Sequence, residues 1–242
     1  PSKMKQNDCK FKEFVLPGNF EKSKIKIEIP GYDKLLIIGS EIKNSTIILP
    51  YKSMKIEEVQ LRPKNYKIVT LGFKTKSKTV HIDYLSKHLK IIPKNYTEEE
   101  LDKPSGEIAV PLNFENNGKI LKININFAKY ELETDLPVRF IIYEDEDGRP
   151  GKMVNEEDIF FNMNKGLVVE ETAVFDVSQY NLILKKGKYY LSFQPLSRDF
   201  QGRFFVSAGI LGSAYRRHSF EPWEKLPASF VPGINVVVKM EK

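Results

Sequence analysis

Apolar and polar residues alternate with a period of two from one end of the chain to the other, the pattern of strands with one buried face. Residues 24–29 set Ile25, Ile27 and Ile29 on one side and Lys24, Lys26 and Glu28 on the other. Over 119–127, Leu121, Ile123, Ile125 and Phe127 share a face, with Lys122, Asn124 and Asn126 opposite. Over 188–194, Tyr189, Leu191 and Phe193 alternate with Tyr190, Ser192 and Gln194; at the end Ile234, Val236, Val238 and Met240 fall together. Further strands are predicted over 34–38, 45–49, 55–61, 66–73, 107–112, 137–143, 169–176 and 203–209. Turn signals separate many of them: Pro30-Gly31, Asn116-Asn117-Gly118, Asp147-Gly148, Lys186-Gly187, Gln201-Gly202 and Pro232-Gly233. The pattern predicts an all-β chain closing into a sandwich. Helix signals are scarce. Thr97 can cap a single turn before Pro104, and 82–89 is expected as another short helix. Pro63 ends a strand and marks the joint between a segment 1–63 and a segment 64–242.

A hydrophobic fraction of 41% over 242 residues is enough for a sizeable core. The longest apolar stretches, Leu35 to Ile38 and Ile234 to Val238, have strand length and fall far short of the roughly 18 residues of a membrane helix. No membrane-spanning segment is expected. The chain begins at Pro1 without an apolar leader, so its start is expected to be either a processed end or an arbitrary boundary, with any export signal lying outside it. Cys9 is the sole cysteine and is expected as an unpaired thiol. The net charge of +6 is asymmetric: residues 1–94 carry 20 Lys/Arg against 9 Asp/Glu, and the remainder 18 against 23. Basic faces attract nucleic acid, but these lysines alternate with apolar residues, as the solvated side of a strand does. A nucleic-acid partner is not expected.

Gly18-Asn19-Phe20, the strand Ile25 to Ile29, Gly31-Tyr32, Ile47-Ile48-Leu49 and Ile56-Glu57-Glu58-Val59-Gln60-Leu61 succeed one another along the chain. In that order they resemble the back half of a carboxypeptidase regulatory-like domain of Bacteroidetes envelope proteins. The opening strands of that family have little room before Gly18, so the copy resembles a shortened, incomplete β-sandwich segment. Residues 64–242 resemble the C-terminal sandwich that comes after this module. The matching pieces are Leu71-Gly72, Gly106-Glu107-Ile108, Lys122 to Phe127, Val138 to Tyr143 with Gly148-Arg149-Pro150-Gly151, Phe175 to Ser178, Tyr180 to Leu182, Gly187 to Leu191 and Trp223. The resemblance implies an antiparallel jelly-roll-like sandwich in an exported, extracytoplasmic protein of the periplasm or outer membrane, and it implies no established activity.

Chemistry-bearing residues are few. His81 and Asp83, two apart on a strand, would share a face and could supply two metal ligands, with His88 as a third; three or four ligands are needed. Glu144-Asp145-Glu146-Asp147-Gly148 lacks the spacing of an EF-hand loop, yet Asp145 and Asp147 could hold a weak Ca²⁺ at a sandwich turn. No other cofactor is expected. Ser213 comes after two glycines in Gly209-Ile210-Leu211-Gly212-Ser213, with only nearness to His218 to make it a nucleophile. The most informative segment is the Pro-interrupted connection 209–232, which carries Tyr215, Arg216, Arg217, His218, Phe220 and the sole Trp223. Tyr189-Tyr190 and Phe204-Phe205 put aromatics on both faces of their strands, so one of each pair is expected under a covered outer face. Two functions fit. One is a non-enzymatic interaction or structural module for a protein or glycan of the envelope. The other is a carbohydrate-binding module that stacks sugars on Tyr215, Arg217 and Trp223.

Overall fold

A computed structural model describes residues 24–27, 32, 34–42, 47, 49, 65–88, 97, 106–210, 212–218 and 221–242. Cys9, Gly18 to Phe20, Gly31, Ile48, Ile56 to Leu61, Pro63, Leu211 and Phe220 lie outside the described residues. The chain divides into two compact units, Pro1–Lys52 and Ser53–Lys242, eleven residues before the joint read from Pro63. In the first unit, β1 (Lys24–Ile27) and β2 (Leu35–Ile38) form an antiparallel pair with Ile25 opposite Ile37.

The second unit is an antiparallel sandwich of two sheets, so the all-β expectation holds. Its strands in chain order are β3 (Tyr66–Gly72), β4 (His81–Leu85), β5 (Glu107–Phe114), β6 (Gly118–Leu132), β7 (Leu136–Glu146), β8 (Arg149–Met153), β9 (Ile159–Met163), β10 (Val168–Val169), β11 (Thr172–Asp176), β12 (Ile183–Leu184), β13 (Gly187–Pro195), β14 (Gly202–Gly209), β15 (Tyr215–Arg217), β16 (Glu224–Lys225), β17 (Val231–Pro232) and β18 (Ile234–Glu241). The larger sheet gathers nine strands around β6, whose first half pairs with β11, β12 and β18 and whose second half pairs with β14. The smaller sheet runs β16-β15-β5-β13-β7-β8, with β9 also on β7. Alternation puts Ile108, Val110, Leu112, Phe140, Ile142, Leu191 and Phe193 of the smaller sheet against Ile123, Ile125, Phe127, Phe204, Val236 and Val238 of the larger. Aromatic contacts cross the gap: Phe140 meets Phe175 at 4.9 Å, and Tyr84 meets Phe193 at 5.7 Å. Burying such side chains at roughly 1.5–3 kcal/mol each is the main force holding the sheets together.

Two bulges make β6 serve both halves of its sheet. The register with β18 steps from Val237↔Lys122 to Val238↔Ile120 and skips Leu121; that with β14 steps from Phe205↔Lys129 to Val206↔Phe127 and skips Ala128. Each extra residue reverses the parity of the positions beyond it and bends the strand. Ile120, not Leu121, therefore takes the buried place beside Ile123, Ile125 and Phe127.

The helix expected over 82–89 is corrected to a strand. Residues 81–85 pair with β14 from His81↔Ser207 to Leu85↔Arg203, because ladder bonds and the stacking of Tyr84 on Phe204 outweigh weak local helix preference. The connection 209–232 is likewise not all loop: β15 and β16 extend the smaller sheet beyond β5.

Candidate functional site

The smaller sheet turns one face to the core and the other outward, and its outward face carries a second cluster. Ala109 of β5, Ile141 and Tyr143 of β7, Met153 of β8, Tyr190 of β13 and Tyr215 of β15 pack together, with Trp223 lying half-buried against them. Small residues make room. Glu107 on β5 and Tyr143 on β7 are separated by β13, so the Tyr143 ring must cross that strand, where Ser192 sits between Ala109 and Ile141.

Tyr143 is the hub. Its hydroxyl donates to Glu107 Oε1 at 2.9 Å and accepts from the Arg217 guanidinium at 2.6 Å, while Arg217 Nε donates to Glu107 Oε2 at 2.6 Å. Arg217 is 8% exposed and Glu107 1%, so this ion pair is inside the protein. Burying two charges is costly, and the three charge-assisted bonds offset that cost only because both carboxylate oxygens are engaged. The Arg217 guanidinium also lies 4.4 Å from the Trp223 ring and 5.3 Å from the Tyr143 ring, and those two rings meet edge-on at 5.4 Å.

The hairpin between β7 and β8 closes the other side. Tyr190 and Tyr215 both donate their hydroxyls to the Gly148 carbonyl at 2.7 Å. Burial, the nearby Asp145 carboxylate and Tyr215 push the Tyr190 hydroxyl well above the ordinary phenol range. Tyr190 is thus the covered outer-face aromatic that the Tyr189-Tyr190 pair predicts, while Tyr189 packs on the main core. Phe205, the outward member of the other pair, stacks on His81 at 4.8 Å.

Of the residues singled out in the sequence, Tyr215, Arg217 and Trp223 do converge. Tyr215 and Arg217 nevertheless point into the second cluster rather than to solvent, because β15 pairs with β5 and inherits its alternation. Arg216 faces the opposite way and lies 3.6 Å from Glu224. His218 packs on Gly106, and its Nδ1 is buried without a hydrogen-bond partner among the described residues. Sequence reading missed Glu107 and Tyr143. The only signal was an acid in the otherwise apolar run Glu107 to Val110, and nothing in the sequence names its partner 110 positions later.

The candidate metal ligands separate. His81 and Asp83 share a face as expected and pair with each other at 3.2 Å, whereas His88 bonds Asp199 at 2.5 Å. Asp147 and Gly148, with φ of 54° and 78°, form the two-residue tip of the β7–β8 hairpin. Asp145 accepts from the Gly148 amide at 3.3 Å, and Arg149 and Pro150 line a shallow depression at the hairpin tip with Glu146 and Asp147. Among the described residues no three His, Cys, Asp or Glu side chains gather as a metal set.

Comparison with protein-family models, curated proteins and solved structures gives no match.

Proposed function

We propose that this chain is a non-enzymatic interaction module of the cell envelope, which binds a partner without transforming it. One observation supports the reading. Arg217, Tyr143, Glu107 and Trp223 are engaged with one another, so they brace the outer face of the smaller sheet as a stiff platform. Catalytic groups need a reacting atom within reach of a poised acid or base; these groups are spent on the scaffold. The extracytoplasmic placement rests on the motif resemblance.

The test mixes the purified chain with isolated peptidoglycan sacculi and with outer-membrane vesicles, sediments both, and chromatographs the supernatants. Sedimentation with one fraction and no new product is expected. Released sugars or peptides would overturn the non-enzymatic reading, and failure to sediment with either fraction would remove the envelope from it.

A second reading, glycan recognition, is favoured by an aromatic beside planar polar groups on the same outer face. Those groups are not the Tyr215, Arg217 and Trp223 set. They lie toward β9.

A further inference from the structure

The outer face of the smaller sheet carries a row of five residues on five strands. Phe160 on β9 is opposite Arg139 on β7, and Arg139 is opposite Gln194 on β13. One step beyond the pair Phe193↔Ile108, Gln194 neighbours Glu107 on β5, which is opposite Arg217 on β15. At a strand spacing of about 4.8 Å the row spans roughly 19 Å. Its two ends differ. The Arg217 end is neutralised by Glu107 and covered by Trp223. At the other end Phe160 is 44% exposed, and Arg139 and Gln194 are half-buried.

Arg139 contrasts with Arg217. Its Nε and one terminal nitrogen donate to Gln194 Oε1 at 3.2 and 2.8 Å, a neutral acceptor, and among the described residues no carboxylate pairs with it. The fork is therefore fixed in orientation, its second terminal nitrogen is not used in that pair, and among the described residues no carboxylate compensates its charge. The bond also fixes Gln194, leaving its amide NH₂ as an oriented donor.

We infer that Phe160, Arg139 and Gln194 form a binding site for a carboxylate-bearing glycan, a polymer of uronic acids. The carboxylate is the natural partner of a guanidinium lacking a countercharge. A ring hydroxyl accepts from the Gln194 amide, and the apolar C–H face of the sugar lies on the Phe160 ring. One exposed aromatic beside two planar polar groups suits a sugar better than a protein, whose interfaces need a broader apolar centre. The inference deepens the interaction-module reading and rests on it.

The experiment titrates the full chain calorimetrically with polygalacturonate oligomers, their neutral methyl esters and polyglutamate, while chromatography monitors the oligomers for cleavage. The variants are Arg139→Gln and Phe160→Ala, the latter at an exposed position where the fold should hold, with melting temperatures recorded for both. Expected are binding of the acidic oligomer, weaker binding of the ester, and a loss of about tenfold or more in each variant. Equal binding of acid and ester, or affinity unchanged in both variants, would overturn the site. Binding of polyglutamate in place of the uronate would overturn the glycan assignment. A chain that ignores uronates yet sediments with envelope fractions loses this ligand and keeps the module reading. Cleavage of the oligomer would end the module reading itself.

Discussion

Arg217 holds its guanidinium 4.4 Å from the ring of Trp223 while its Nε bonds Glu107 at 2.6 Å, so one cation is shared between an aromatic face and a buried carboxylate. Removing only the cation leaves Glu107, 1% exposed, without its countercharge. Arg217→Met should therefore cost about 3–5 kcal/mol, whereas the double variant Glu107→Met/Arg217→Met should recover most of that loss. Urea unfolding of the parent, both single variants and the double variant measures the coupling. Additive losses would mean that the pair contributes no more than its separate packing.

Tyr190 and Tyr215 share one acceptor, the Gly148 carbonyl, and that sharing makes their effects unequal. Either single Tyr→Phe change leaves the carbonyl bonded and should cost about 0.5–1.5 kcal/mol. The double change frees the hairpin tip. Amide exchange over 144–149 should then accelerate well beyond the sum of the single variants, read by hydrogen–deuterium exchange. Equal protection in all four proteins would show that the hairpin is held elsewhere.

How much of the fold is legible in the sequence depends on what alternation can and cannot encode. Tyr189, Leu191 and Phe193 read correctly because β13 runs without interruption between β5 and β7. Leu121 reads wrongly because a bulge leaves no mark in a hydrophobic pattern; either Ile120 or Leu121 satisfies it, and the pairing with β18 decides. Tyr215, Arg217 and Trp223 are legible as a group, but their inward direction depends on β15 joining β5, a long-range pairing. Phe160 and Arg139 are invisible as a pair for the same reason, since β9 meets β7 only through the returning chain.

Two glycines with positive φ separate strain from crowding. At Gly148, φ is 78° and an added Cβ meets nothing within 4 Å, so Gly148→Ala should cost only the left-handed penalty, about 1–2 kcal/mol. At Gly202, φ is 104° and the Cβ would lie 1.8 Å from the Glu131 carbonyl oxygen, a backbone atom that cannot rotate away. Gly202→Ala should be clearly the worse of the two, because β14 must leave its ladder with β6. Thermal unfolding ranks them, and equal losses would contradict the crowding at Gly202.

Asp83 and Asp199 should respond to pH in opposite senses. Burial raises the Asp83 carboxyl above its usual 3.8, more than His81 and Arg203 lower it. The folded chain then holds that proton more tightly than the unfolded chain, and stability falls as pH rises from about 4 through the raised folded value. Asp199 is the reverse. Hydrogen bonds from Lys87 and then His88 lower it, so its contribution is present above the ordinary carboxylate value and is lost as pH falls through the lowered one. Urea unfolding across a pH series should show Asp83→Asn gaining on the parent as pH rises and Asp199→Asn losing to it. The exposed Asp199 should give the smaller effect because solvent screens its partners. A constant offset for Asp83→Asn at every pH would mean that its burial costs the charged form nothing, and the two slopes would then have to be traced to other carboxylates.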